Sequence, residues 1–443
     1  MRKHYLFDSK LYYYLLHIVL FFYIYSVQFI GVPFGIGTRV FMGIIGFSMF
    51  FLEILKVKKT IVFNRHFLIV YFALFSISLV SLLSLLYNRT TDIEFFIKYP
   101  VSIIIIIFSS YFVTKSVSYR SKDENQIPGV MQLFINVVII QIIISLIMFT
   151  FQPIRDALNT IQVTSDQELQ VLEQTLEFRL VGFGSKFFGS GIINGFALIL
   201  IGSILRYKSH IKINVFKYSI SFLFIFVFGM MMARTTIIGA LLALGIVFWP
   251  KNSLGFNINQ IKNNTKFLFY LLSIPIIIVF GVFYFFPEVK ESIELAYNFG
   301  FEMFINYFQS DSLESASTNQ MKEMYVWPTS LKTYLIGDGL FSDITTGGYY
   351  MGTDIGILRL IYYFGCFGLF AYLVFQFQII YLAYLRNKKY KYMFMVIFVY
   401  CLVLNCKGFT DLFFLNILFV INNYYQVKLS NEKNVIYNSI STQ

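Results

Sequence analysis

The chain has 443 residues, of which 57% are hydrophobic and 13% charged, with a formal net charge of +12. A soluble globular domain carries about 25% charged residues, and repeated apolar runs here are long enough to cross roughly 30 Å of hydrocarbon. That excludes a soluble fold and indicates an all-α polytopic membrane protein, because in lipid every backbone polar group must be satisfied within the segment.

Basic Met1–Lys10 precedes Leu11–Ile30, a run too long and aromatic for a signal-peptide core and followed by no small-x-small cleavage site. It reads as an uncleaved first span with the N-terminus in the cytoplasm. Further spans are expected at Val40–Leu55, His66–Leu86, Phe95–Val113, Val130–Phe149, Lys186–Leu205, Tyr218–Met232 and Ile237–Trp249. Phe267–Phe286, Ile357–Leu385, Tyr392–Leu404 and Leu412–Val420 complete about twelve, with both termini cytoplasmic. The organisation is then a membrane domain over 1–286, a large periplasmic loop over 287–356, three more spans within 357–425 and a cytoplasmic tail over 426–443. A secondary external segment covers 151–180 and carries Asp166, Glu168, Glu173 and Glu177.

The basic residues test this topology. Of the 35 Lys and Arg, 23 fall inside and 12 outside, as expected where short basic loops stay cytoplasmic. The positive charge is therefore an orientation signal, and no nucleic-acid partner is expected. No internal repeat is apparent and the long loop has no counterpart in the first half, which argues against carriers built from duplicated halves.

Three arginines sit on the expected outer side against that trend: Arg179 ahead of the sixth span, Arg234 in the tight turn between the seventh and eighth, and Arg359 one turn into the tenth. A guanidinium near hydrocarbon is costly unless paired or facing a watery cavity, and its planar fork suits phosphate oxygens. Interface anchoring or pairing with a nearby carboxylate is the plainer alternative for each. Lys186, Lys322 and Arg39 are weaker candidates, and Lys290 is expected in solvent. Gly182, Gly184, Gly189, Gly191 and Gly195, with Asn194 among them, suit either a cleft lined by helix backbone or close helix packing.

The carboxylates Asp338, Asp343 and Asp354 cluster before the tenth span. Asp354 and Arg359 are five apart and do not stack on a straight helix, so Asp354 is expected to cap the helix. It is also the best placed general base. His4, His17, His66 and His210 all fall on the cytoplasmic side or in the inner half of a span, leaving no imidazole for chemistry outside. No HExxH or Ser-His-Asp arrangement is present, so neither cofactor nor metal is expected. Cys366, Cys401 and Cys406 read as buried small hydrophobes. Ile293, Tyr297, Phe301, Phe304, Ile305 and Phe308 recur at helical spacing among glutamates, predicting an amphipathic interfacial helix.

Several of these stretches together resemble the O-antigen polymerases (Wzy type), within the larger group that includes O-antigen ligases. They are Arg179-Leu-Val-Gly before Gly191-Ile-Ile-Asn194-Gly, Arg234-Thr-Thr-Ile-Ile-Gly, Gly337-Asp338-Gly, and Thr353-Asp354-Ile-Gly-Ile-Leu-Arg359 with Phe364-Gly365-Cys-Phe-Gly368. The ligases have a histidine near the end of the large loop, absent here, and Lys322 stands where the group often has an arginine before a loop tryptophan. The resemblance implies a GT-C-like bundle in the bacterial inner membrane, its active face periplasmic. It implies transfer of a growing glycan from undecaprenyl pyrophosphate to the non-reducing end of a new lipid-linked repeat unit. It also implies membrane lipid, a chain-length regulator and a flippase of the same pathway as partners. Arg179, Arg234 and Arg359 would hold the pyrophosphate, with Asp354 or Asp338 handling the acceptor hydroxyl, and Lys322 and Asn194 as possible additions. A ligase, or a flippase or transporter of lipid-linked oligosaccharides, is the alternative.

Overall fold

The computed structural model describes residues 10–32, 36–57, 65–120, 126–163, 179–184, 187–207, 214–249, 265–271, 273, 290–311, 314–343 and 345–421. Among these the only extended pairing consists of isolated bridges such as Phe29 with Gln162. Everything else regular is helix. The first half supplies α1 (Lys10–Ile24), α2 (Thr38–Val57), α3 (Arg65–Asn88), α4 (Tyr99–Arg120), α5 (Gln126–Thr150) and the short α6 (Gln152–Ile161). Then come α7 (Phe187–Arg206), α8 (Val215–Met232), α9 (Thr236–Phe248) and the loop helices α10 (Lys290–Ser310), α11 (Ala316–Glu323) and α12 (Leu331–Leu335). The chain closes with α13 (Gly356–Arg386), α14 (Lys391–Asn405) and α15 (413–421).

Seven of these helices are long and apolar enough to cross a membrane, so the chain is a helical membrane protein. α1 and α9, at 15 and 13 residues, are apolar but shorter than the roughly 20 residues of a straight crossing. The expected ninth span is helical at 265–271, while its remainder and the tail lie outside the described residues. Asp166, Glu168, Glu173, Glu177 and Lys186 also lie outside them. Of the cysteines only Cys401 is buried; Cys366 and Cys406 are exposed, correcting the expectation of three buried thiols. Cys366 lies on a helix face exposed among the described residues, and Cys406 sits in a turn.

α7 is the axis of the bundle, buried continuously from Ser190 to Arg206. The glycines of this region divide cleanly by what surrounds them. A methyl group on Gly239 would lie 2.2 Å from the Gly195 Cα, and one on Gly202 would lie 2.7 Å from the Ala243 carbonyl. Close packing of α7 on α9 is therefore what Gly195, Gly239 and Gly202 are for, as small residues do between membrane helices. The buried Asn194 belongs to the same packing, its amide reaching the Met232 sulfur at 3.7 Å.

α13 is broken in the middle. Phe364 (φ −139°, ψ 18°) and Gly365 (φ 71°, ψ −175°) leave the helical region, a conformation essentially open to glycine alone at the second position. A break inside apolar surroundings frees carbonyls that must find donors. The loop supplies them: Asp338 N–H donates to the Tyr362 carbonyl at 2.6 Å and Gly339 N–H to that of Tyr363 at 3.0 Å. Ser84 Oγ adds a second donor to Tyr363 at 2.8 Å. On the far side of the turn, Asn88 donates to the Gly337 carbonyl and Thr90 to that of Gly339. The turn at 337–339 is thus clamped between α3 and the broken α13.

Replacing Gly365 with Ala would place its methyl 2.4 Å from the Leu335 backbone as well as forcing an alanine into that conformation. We expect G365A to lose about 2 kcal/mol or more, read as a lowered unfolding temperature of the detergent-solubilised protein.

Candidate functional site

One end of the bundle collects the turns between helices together with α10, α11 and α12. Arg179–Gly184 runs there as an irregular, largely buried strip, with Leu180, Val181 and Phe183 each under a tenth exposed. Its backbone is held from several sides. Leu180 N–H donates to the Met231 carbonyl, Gln141 Nε2 to that of Phe183, and Gly184 N–H to the Gln162 side chain. Gly182 leaves room for the Gln141 amide, which a Cβ would meet at 2.1 Å and displace. This strip fixes the root of Arg179. Its Nε donates to the Met232 carbonyl at 2.6 Å and its guanidinium lies over the rings of Phe187 and Phe299, at 4.3 and 5.3 Å. Its two terminal nitrogens have no partner among the described residues.

Arg234 approaches the same ring from the turn between α8 and α9. Its guanidinium lies 4.4 Å from the Phe299 centroid, its Nε donates to the Phe299 carbonyl at 2.7 Å, and its Nη1 reaches Ser317 at 3.3 Å. Its Nη2 is ion-paired with Glu302 on α10. Phe299 therefore lies within reach of two guanidiniums. Gly300 lets α10 settle this close, because its Cβ would meet the Met230 and Met231 backbone at 3.1 Å. α10 is the predicted amphipathic helix: it packs on α8 through this contact and leaves Leu295, Tyr297, Tyr307 and Phe308 exposed.

A third cation, not singled out from sequence, is Lys407 in the turn between α14 and α15. Glycine again brings it in. A Cβ on Gly356 would meet the Gly408 carbonyl at 2.8 Å, and one on Gly408 would meet the Phe188 ring at 2.9 Å. The turn is thus wedged between the starts of α13 and α7. Reciprocal hydrogen bonds between Asn405 and Thr410 stiffen it, and Tyr325 Oη ties it to the loop through the Cys406 carbonyl at 2.5 Å. Burial, then Arg234 and Arg179, push the Lys407 ammonium down to about 8, with Asp354 opposing. Its Nζ has no hydrogen-bond partner among the described residues. Burial and then Arg234 likewise push Arg179 down, so the three cations repel one another across a common space.

Asp354 borders that space, but not as a helix cap. The N-cap of α13 is Ile355, without a side-chain bond, and the Ile355 N–H is taken by Thr353 Oγ1. The helix starts too late for the Asp354 carboxylate to face its free N–H groups. Asp354 instead pairs with Arg359 at 3.5 Å; the straight-helix rule does not bar this, because Asp354 precedes the helix. Burial raises the Asp354 carboxyl above its ordinary value, opposed by Arg359, Tyr349 and Lys407.

The structure therefore brings Arg179 and Arg234 together, adds Lys407, and sets Arg359 on the far side of Asp354. Asp338 belongs to the clamp on α13, its carboxylate accepting from Lys332 at 2.9 Å and Thr333 at 2.9 Å. Asp343 folds onto Thr345 in an exposed turn. Lys322 pairs with Glu314 in solvent. Asn194 is closed within helix packing. Arg39 caps α1, donating to the Tyr23 and Ile24 carbonyls at 2.9 and 3.0 Å. The side chain of Lys290 lies outside the described ones.

Arg179, Arg234 and Lys407 have one ion-paired carboxylate among them, Glu302, and so keep a surplus of positive charge. Unengaged donors on Arg179 and Lys407 suit an anion with several oxygens. Since Lys407 is charged below about 8 and neutral above it, affinity of the purified protein for inorganic pyrophosphate is expected to be full below that pH and to fall as pH rises through it. K407R, whose guanidinium keeps its charge, is expected to lose less over the same interval in calorimetric titrations.

No protein-family model, curated protein or solved structure matches this chain.

Proposed function

We propose that the chain is an O-antigen polymerase of the Wzy type, joining glycans carried on undecaprenyl pyrophosphate at the periplasmic face of the bacterial inner membrane. The observation that carries this reading is the meeting of Arg179 and Arg234 at Phe299, with Lys407 close enough to feel both charges and the part-exposed carboxylate of Asp354. A cation group with free donors next to a candidate base is what a displacement with a pyrophosphate leaving group needs.

In this reading the acceptor sugar's hydroxyl oxygen attacks the anomeric carbon of the donor glycan. A C–O bond forms there as the C–O bond to pyrophosphate breaks, and the electron pair leaves with the lipid pyrophosphate. Arg179, Arg234 and Lys407 meet the negative charge growing on that leaving group, which lowers the barrier because the charge is larger in the transition state than in the substrate. The Asp354 carboxylate takes the hydroxyl proton. In this reading α10, which leaves apolar side chains exposed, would lie along the membrane interface where a lipid carrier arrives.

Alanine at Arg179, Arg234 or Lys407 is expected to reduce chain growth by about 100-fold, so that lipopolysaccharide on a gel shows core capped by a single repeat in place of a ladder. Intact ladders in all three variants would overturn the assignment. Bare core would point to a ligase, and loss of every surface repeat to a flippase.

A further inference from the structure

Arg359 differs from Arg179 and Arg234 in what is left of it for a ligand. Its side chain is 10% exposed and its guanidinium is layered between the rings of Phe341 and Tyr349, with centroids at 3.7 and 4.6 Å. Nη2 donates to the Phe341 carbonyl at 3.3 Å and Nη1 faces Asp354 at 3.5 Å. Nε is buried without a partner. Two rings lie over the guanidinium and both terminal nitrogens face protein oxygens, which leaves only the buried Nε unpartnered. The ionisable groups acting on it are Asp354, Tyr349, Glu94 and Asp92. Two of these lie in the turn ahead of α4, where Asp92 accepts from the Phe341 and Glu94 N–H groups at 2.8 and 3.1 Å. A pyrophosphate at Arg359 would lie within the field of the Asp354, Glu94 and Asp92 carboxylates, which opposes its binding there.

Asp354 is 34% exposed at its side chain, more than three times its partner. The groups acting on it are the charges of Arg359 from α13 and Lys407 from the turn before α15, and the neutral Tyr349 phenol from the loop. We infer that Arg359 does not touch the pyrophosphate but is a positioning residue, one that orients the Asp354 carboxylate toward the space shared by Arg179, Arg234 and Lys407. The site then has two halves, an anion-binding half and a carboxylate half, joined where Lys407 faces Asp354. The role given to Asp354 rests on the polymerase reading; the pairing of Arg359 with it does not.

Two measurements on the purified full chain separate these. In calorimetric titration with inorganic pyrophosphate, R179A and K407A are expected to bind about tenfold more weakly than the unaltered protein, and R359Q within about twofold of it. A loss in R359Q equal to that in R179A overturns the inference by making Arg359 a phosphate ligand. In the second measurement, carbodiimide labelling of Asp354 is followed by mass spectrometry against pH, since the reagent takes the protonated carboxyl. R359Q is expected to extend labelling to higher pH, because an opposite charge that favoured the carboxylate has been removed. Y349F, a smaller change that keeps the ring over the guanidinium, is expected to shift it in the same direction by less. Curves that overlay the unaltered protein in both variants overturn the inference. If the unaltered protein binds no pyrophosphate, the proposed function fails, while the labelling curves still decide what Arg359 does.

Discussion

The break in α13 is the constraint on which the rest of the architecture turns. A helix that opens within an apolar bundle leaves carbonyls that water does not reach, and each is costly until a donor arrives. Here the donors come from the loop, through the N–H groups of Asp338 and Gly339, and from Ser84 on α3. The loop is therefore not a cover laid over a finished bundle. Its turn at 337–339 completes the hydrogen bonding of a membrane helix, and that junction holds Phe341 and Tyr349 against Arg359.

Charged side chains in this protein follow two distinct rules. Arg39 and Arg206 close helix ends, the first on the Tyr23 and Ile24 carbonyls and the second on those of Ile246 and Trp249. Cations are favourable there, because the last carbonyls of a helix lack partners within it. Arg179 and Lys407 are different. Each is held near other positive charge by backbone that glycine allows to approach, and each keeps donors without a partner among the described residues. That separates these two residues from the arginines that close helix ends.

Glycine is what builds that arrangement. Gly182 yields to Gln141, Gly300 lets α10 rest on α8, and Gly356 with Gly408 admits the Lys407 turn between two helix starts. Each contact is local, yet together they bring residues from four separated parts of the chain to one space. The aromatic ring of Phe299 is shared by Arg179 and Arg234, its π-system attracting both guanidiniums.

Much of the fold was legible in the sequence because hydrocarbon leaves a helix few alternatives: apolar length marked the long helices, and α10 showed its period among the glutamates. Arg179 and Arg234 stood out for the same reason, as charges where charge is expensive. The site itself was only partly legible. Lys407 looked like one more basic residue in a short turn, since nothing in its neighbours in sequence says that Gly408 packs on Phe188. Arg359 looked like the equal of the other two arginines, and its layering between Phe341 and Tyr349 depends on where the loop folds back. Asp338 stood beside the better placed Asp354 as a second candidate carboxylate before the span. The docking of the loop into the broken helix parted them, giving Asp338 to the clamp with Lys332 and leaving Asp354 beside the cations. Sequence by itself determined that the chain is a helical membrane protein and where most of its helices run, because transfer to lipid is decided segment by segment. Which charges meet was decided by the tertiary structure alone, because glycine contacts between distant helices and one satisfied helix break set those distances.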